Sequence, residues 1–322
     1  TSAEVLEELY EKTGHEIINL ILDYRQYTKL QSTYVDGLLT KIAPDGRIHT
    51  NYKQTETRTG RISSTEPNLQ NIPVRTKLGR EMRKFFKASE NRILLDADYS
   101  QIELRLMADL SQDKAMQEAF ISGFDIHTAT ASKIFNVPEL LVTSEMRSTV
   151  KAINFGILYG MGAYSLSKDI HVSKQEAENY IQEYLGSYPK VSKFLDKIIK
   201  DATKNGYVCT KLGRRRYIPE LKSENKQVQA GAKRIAMNTP VQGSSADIIK
   251  LAMIRVHDRL EKEVPSAKLL LQVHDELIIE VPESDSDSAQ KILQEEMTNA
   301  VKLSVPLIAE VKKGKTWYDA KD

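Results

Sequence analysis

Two β-rich runs, Leu269–Val273 and Leu277–Val281, are separated only by His274-Asp275-Glu276. A connection that short joins antiparallel neighbours, because a parallel crossover takes about a dozen residues or more. The chain is thereby committed to a hairpin whose turn is acidic and whose strands are apolar. Upstream, Ile93-Leu94-Leu95-Asp96-Ala97-Asp98 is a second compact strand candidate, followed at once by a helical pattern from Ser100 to Leu110.

Around these strands the pattern is mostly helical. Thr1 and Glu4 have capping-box spacing, and Ile17, Leu20, Ile21, Tyr24 and Tyr27 repeat with helical period. Pro44-Asp45-Gly46 reads as a hairpin turn flanked by Leu38–Ile42 and Arg47–Tyr52. Residues 55–73 are polar and without periodicity, a length that a packed domain keeps when a ligand or partner ties it down. Ser173 to Glu176 forms a capping box, Pro189 suits a first helical turn, and Val191, Phe194, Leu195, Ile198 and Ile199 make a stripe that Gly206 ends. Tyr207–Ile218 reads as a hairpin around Leu212-Gly213. The long helical stretch that follows should break or kink at Pro240. A last helix follows Glu283–Ser288, and Pro306–Val311 closes as a strand. Strands and helices that segregate in this way indicate an α+β fold, not a repeating βαβ order.

Composition removes several classes. One cysteine, Cys209, excludes an internal disulfide framework and a cysteine zinc site. No apolar run reaches the ~18 residues of a membrane span, and no charged-then-apolar leader pattern opens the sequence. A net charge of +2 means that any polyanion must be met by a local basic surface.

Three constellations carry chemistry. Asp98 stands where a strand becomes a helix and Asp275 in a hairpin turn; together they would make a hard oxygen site suited to Mg²⁺. Each alone is also an ordinary cap or turn residue. In the stretch 147–160, residues four apart drift only about 40° around a helix axis. Arg147, Lys151 and Phe155 then share a face, with Tyr159 at its edge: two cations followed by two aromatics, the order that grips a triphosphate and packs against a base. The plain alternative is an amphipathic helix with solvated charges. The third, Thr59 to Asn71 with Arg75, Arg80, Arg83, Lys84 and Lys87 after it, suits contacts to a phosphate backbone, or is a solvated basic face. Lys211 with Arg214-Arg215-Arg216 is a further basic cluster.

Asp98 through Arg105, Arg147 through Gly160, and Gln272 through Glu276, with Thr59–Pro73 and Met237–Asp247, resemble in order the motifs of bacterial family A DNA polymerases. The resemblance covers essentially the whole chain. It implies a right-hand polymerase with an antiparallel-sheet palm, helical fingers and a partial helical thumb: 1–37 a remnant of the thumb, 38–110 the first part of the palm, 111–235 the fingers and 236–322 the second part of the palm. Earlier thumb helices and an upstream exonuclease-like region are absent from these residues. The implied activity is template-directed addition of deoxynucleotides to a primer 3′-hydroxyl with two Mg²⁺ ions and release of pyrophosphate, in replication and repair. The implied partners are primer–template DNA and deoxynucleoside triphosphates. A monomer in the bacterial cytoplasm, associated with the nucleoid, is expected.

Residue by residue, the resemblance makes Asp98 and Asp275 the metal-holding carboxylates, helped by the backbone carbonyl of Tyr99 and supported by Glu276. Arg147, Lys151, His127 and Gln101 fall on triphosphate contacts, and Lys151 also on the position that protonates pyrophosphate. Phe155 and Tyr159 flank the nascent pair. Glu103 stands at the steric gate against the ribose 2′-hydroxyl. Arg61, Asn238, Gln242 and His274 fall near the minor groove of the new pair, whose acceptors are common to all correct pairs. A single-subunit RNA polymerase and a catalytically silent primer–template binding module are the competing readings; Glu103 and Phe155 argue against the first, the intact basic–aromatic helix against the second.

Overall fold

The computed structural model describes residues 2–74, 76–123 and 125–321, so Thr1 and Arg75 lie outside the described residues. In chain order the strands are β1 (Asn51–Lys53), β2 (Ser63–Thr65), β3 (Arg92–Tyr99), β4 (Tyr207–Cys209), β5 (Arg215–Tyr217), β6 (Lys268–Val273), β7 (Glu276–Pro282) and β8 (Ala309–Gly314). The order β6-β7-β3-β8 builds one antiparallel sheet, with β1–β2 and β4–β5 as separate two-stranded pairs.

Alternation along β3 and β7 decides the layering. Leu95, Ala97 and Tyr99 of β3, with Leu277, Ile279 and Val281 of β7, point into the main core. Leu95, Ala97, Leu277 and Ile279 are all 0% exposed. Each large apolar side chain buried this way contributes roughly 1.5–3 kcal/mol. The opposite face presents Leu94, Asp96 and Asp98 beside Glu276, Ile278 and Glu280, over a smaller cluster that includes Leu69, Ile72, Met82 and Trp317. The carboxylates therefore share a face because they share a parity.

The helices are α1 (Ala3–Thr13), α2 (Glu16–Lys29), α3 (Gly37–Leu39), α4 (Lys77–Glu81), α5 (Ile102–Ser111), α6 (Lys114–Ile121), α7 (Ile126–Ile134), α8 (Ser144–Leu158), α9 (Ala163–Asp169), α10 (Lys174–Ser187), α11 (Pro189–Asn205), α12 (Lys226–Glu263) and α13 (Ser286–Thr298). α13 packs on the sheet, α12 on α13 and α5, and α11 carries the core onward to α10, α7 and α8. Among the described residues no helix is long and apolar enough to cross a membrane.

Local signals held where local bonds decide. Ser173 and Glu176 make the reciprocal capping box, Pro189 opens α11, and Gly206 closes it in the left-handed region at φ 80°. The β4–β5 hairpin forms as expected. Other expectations change. Ser2 caps α1, accepting from Val5 N–H. At Pro44-Asp45-Gly46 the hairpin shrinks to one bridge, Ile42–Ile48, because Leu38 is taken into α3 and β1 pairs with β2 inside the stretch read as irregular. α12 continues for 38 residues without a break at Pro240, which is buried with Thr239 and Val241. The lost ladder bond is outweighed by packing on both sides of the helix. The closing strand begins at Ala309, not Pro306. Along α2, Ile17, Leu20, Tyr24 and Tyr27 are between 56% and 70% exposed, so its periodic face does not enter the core.

Candidate active site

β3 ends where the β6–β7 hairpin turns, and this junction collects the acidic residues. Asp98 pairs across the ladder with Glu276. Asp275 precedes Glu276 in the turn, and its carbonyl accepts from Tyr99 N–H at 3.2 Å. The turn holds two residues, since Glu276 already opens β7, and His274 takes the left-handed backbone at φ 53°. Tyr99 directs its side chain inward, its hydroxyl donating to Met297 O at 2.7 Å. Burial, then repulsion from Asp98, pushes the Asp275 carboxyl up to about 7. Burial, then Glu276, raises Asp96 to about 7, and burial raises Glu276.

Asp96 Oδ1 and Glu276 Oε1 are buried without a hydrogen-bond partner. Among the described residues no three His, Cys, Asp or Glu side chains form a ready cage for a metal ion. Mg²⁺ does not need one: it keeps waters and takes one or two carboxylates plus substrate phosphates. The Asp98 and Asp275 carboxylates, hard oxygen donors whose charges repel each other, fit that ion. Lys321, which the sequence reading did not single out, reaches into the same cluster, its Nζ 2.7 Å from Asp98 Oδ2 and hydrogen-bonded to Glu276 Oε2.

The basic–aromatic helix forms as α8, with Thr143 capping its N-terminus. Arg147 is half-exposed and forked onto Asp125, Nε to Oδ2 at 2.6 Å and Nη2 to Oδ1 at 3.2 Å. Asp125 also caps α7 by accepting from Thr128 N–H. Burial opposes the Asp125 charge, but Arg147 and Thr128 hold the carboxyl well below its usual range. Asp125 was missed, although an aspartate three residues before Thr128 at a helix start is a legible cap signal. Lys151 is exposed. His127 is only 3% exposed, beside Asn154, whose Nδ2 lies 2.9 Å from its Nδ1. Phe155 and Tyr159 stack with centroids 6.5 Å apart and planes 14° apart.

Tyr159 and Arg61 converge on Glu103. The tyrosine hydroxyl donates to Oε2 at 2.9 Å and the Arg61 Nη2 to Oε1 at 3.0 Å. Glu103 rises from the first turn of α5, which starts after a left-handed Gln101 at φ 54°. Asn238 and Gln242 lie one turn apart on α12, half-buried. Gln70 Nε2 donates to Gln272 O at 3.1 Å, and Tyr52 exchanges hydrogen bonds with the Gln272 backbone, tying β1 and the stretch after β2 to the β6–β7 hairpin.

The basic runs divide between buried or paired cations and exposed ones. Arg83 is 6% exposed, its guanidinium 4.2 Å over the Trp317 ring. Lys84 pairs with Glu81, while Arg80 and Lys87 stay exposed. Lys211 pairs with Asp109, Arg214 with buried Asp247, and Arg216 Nη1 donates to Thr239. Arg214 also lies so close to Gly60, at φ 86°, that a Cβ there would meet its Nε at 2.6 Å. These bonds brace the β4–β5 hairpin against α12 and α5, while Lys211, Arg214 and Arg215 stay exposed.

Residues 1–319 match the profile of DNA polymerase family A. The chain is 51% identical over 322 residues to DNA polymerase I of Caldicellulosiruptor bescii, 50% over 323 residues to that of Geobacillus stearothermophilus, and 48% over 323 residues to the thermostable enzyme of Thermus aquaticus. All of this chain is covered, but it spans only 38%, 37% and 38% of those relatives. A solved structure, the POL domain of Pol1 from M. smegmatis in complex with DNA primer–template and dNTP, superposes with a TM-score of 0.96 at 47% identity, covering 100% of this chain and 57% of that one.

Proposed function

Because the chain belongs to DNA polymerase family A, we propose that it extends a primer 3′-hydroxyl on a DNA template, taking deoxynucleoside triphosphates and releasing pyrophosphate. The observation that carries this reading is the meeting of Asp98, Asp275 and Glu276 at one end of the antiparallel sheet. The Tyr159–Glu103 bond ties the basic–aromatic helix to the helix that follows Asp98.

Asp98 and Asp275, with the Tyr99 carbonyl, would hold two Mg²⁺ ions, which supply Lewis-acid activation of the hydroxyl and charge neutralisation of the phosphates. The remaining work falls to the chain's own groups. Arg147 and Lys151 grip the triphosphate, joined by Gln101 and by His127, and Lys151 delivers a proton to the departing pyrophosphate. Arg147 must exchange Asp125 for phosphate, and His127 must come out of its contact with Asn154, so both assignments imply that α8 moves when nucleotide binds. Phe155 and Tyr159 cover the base. Glu103 crowds the sugar 2′ position. Arg61, Asn238, Gln242 and His274 inspect the minor groove of the new pair. In this reading 1–37 belongs to the thumb, 38–110 and 236–322 to the palm and 111–235 to the fingers. The enzyme works as a monomer on nucleoid DNA in the cytoplasm.

Primer extension with four deoxynucleotides and Mg²⁺, resolved on a gel, tests the assignment. Asp98→Asn and Asp275→Asn should abolish extension while retaining duplex binding, which distributed phosphate contacts sustain. Wild-type turnover in either variant would refute the carboxylate roles, and DNA binding without any magnesium-dependent extension would leave only a binding module.

A further inference from the structure

One charged side chain inside the carboxylate cluster has no part in the chemistry above. Lys321 lies in the turn after β8, its Nζ 2.7 Å from Asp98 Oδ2, hydrogen-bonded to Glu276 and 4.0 Å from Asp96 Oδ1. Its turn is firmly seated. Trp317 is 1% exposed, donates Nε1–H to Asp96 Oδ2 at 3.1 Å and gives its backbone N–H to Phe86 O at 2.8 Å. Ala320 N–H returns to Thr316 O, and Lys321 N–H to Tyr318 O, each at 3.1 Å. The ammonium is thus delivered to Asp98 by tertiary structure. A divalent cation on the same carboxylate would meet that ammonium at a few ångströms with like charge. The ammonium also borders a cavity of about 370 Å³, lined by Lys321 itself with Arg83, Asp275, Glu276 and Tyr318 among others, so the side chain has open space beside the carboxylates.

We propose that Lys321 is a positioning residue and the resident cation of this site: it holds Asp98 and Glu276 together before a divalent cation arrives, and gives up Asp98 when one binds. The inference rests on the metal-holding reading of Asp98 and Asp275. Coupling of this kind is reciprocal, so removing the ammonium tightens metal binding and metal binding releases the ammonium.

The test uses the full chain without DNA or nucleotide. Mn²⁺ is titrated by electron paramagnetic resonance into the wild type, Lys321→Met, Lys321→Arg and Asp98→Asn. Lys321→Met should bind Mn²⁺ at least about fivefold tighter, the lower end of ordinary coupling, and Lys321→Arg should stay close to the wild type. Equal affinity in a folded Lys321→Met chain overturns the inference. A second measurement needs no variant: acetylation of Lys321 in the wild type, read by mass spectrometry, should rise as Mn²⁺ is added, and indifference to Mn²⁺ overturns the inference as well. If Mn²⁺ does not bind, or binds Asp98→Asn as well as the wild type, the metal reading itself falls and takes this one with it.

Discussion

The Tyr159 hydroxyl donates a 2.9 Å hydrogen bond to Glu103, a residue 56 positions earlier in the chain. The bond joins the end of α8 to the start of α5, and Arg61 holds the other carboxylate oxygen at 3.0 Å. Glu103 is therefore locked in place, with its side chain only 11% exposed. A gate against an added hydroxyl works only if it cannot step aside. Glu103→Ala should lower discrimination against ribonucleotides by at least about tenfold, as expected when a steric and polar contact is removed, and Tyr159→Phe should lower it less. Competition between ribo- and deoxynucleotides in single-turnover extension measures both, and an unchanged ratio in Glu103→Ala would remove the gate assignment.

Phe155 stacks on Tyr159 and presents no hydroxyl beside it. The chain should therefore favour deoxy- over dideoxynucleotides by at least about tenfold, the scale of one mismatched polar contact. Phe155→Tyr should narrow that preference. Equal use of both nucleotides by the unaltered chain would contradict the role given to this position.

Asp125 serves two neighbours, capping α7 and holding Arg147. Asparagine still caps a helix but does not hold the guanidinium by charge. Asp125→Asn should thus release Arg147 and lower the nucleotide KM while leaving kcat nearly unchanged. Asp125→Ala should cost about 0.5–2 kcal/mol of stability in addition, through the lost cap. A raised KM in Asp125→Asn would mean that the carboxylate aims Arg147 at its phosphate instead of restraining it.

His127 is buried, and burial pushes its pKa down from 6.5 to about 4. The unfolded chain then binds more protons than the native one between those values, so stability is full above about pH 6.5 and is lost as pH falls toward 4. The loss amounts to roughly 3 kcal/mol for a shift of this size. Urea denaturation at pH 7 and pH 4.5 should show about 2 kcal/mol of it, and His127→Gln should flatten that part of the pH dependence. The same slope in both chains would assign the loss to other groups.

Much of the framework is legible in the residues alone. β3, the β6–β7 hairpin, the capping box at Ser173 and the α11 limits at Pro189 and Gly206 follow from periodicity and backbone chemistry within a few residues. The motifs holding Asp98, Asp275, Arg147, Lys151, Phe155 and Tyr159 were equally visible, because each is a short run with its own pattern.

Tertiary packing decided the rest. Lys321 reaches Asp98 across 223 positions, and Trp317 reaches Asp96 across 221, so no local spacing announces either contact. Packing carries α12 through Pro240, turns Arg83 from a surface cation into a buried one against Trp317, and leaves the α2 stripe uncovered. Secondary structure is written in bonds between near neighbours, whose energies the sequence displays directly. Which carboxylate repels which, and which cation stands between them, depends on strand register and on how distant segments settle against one another.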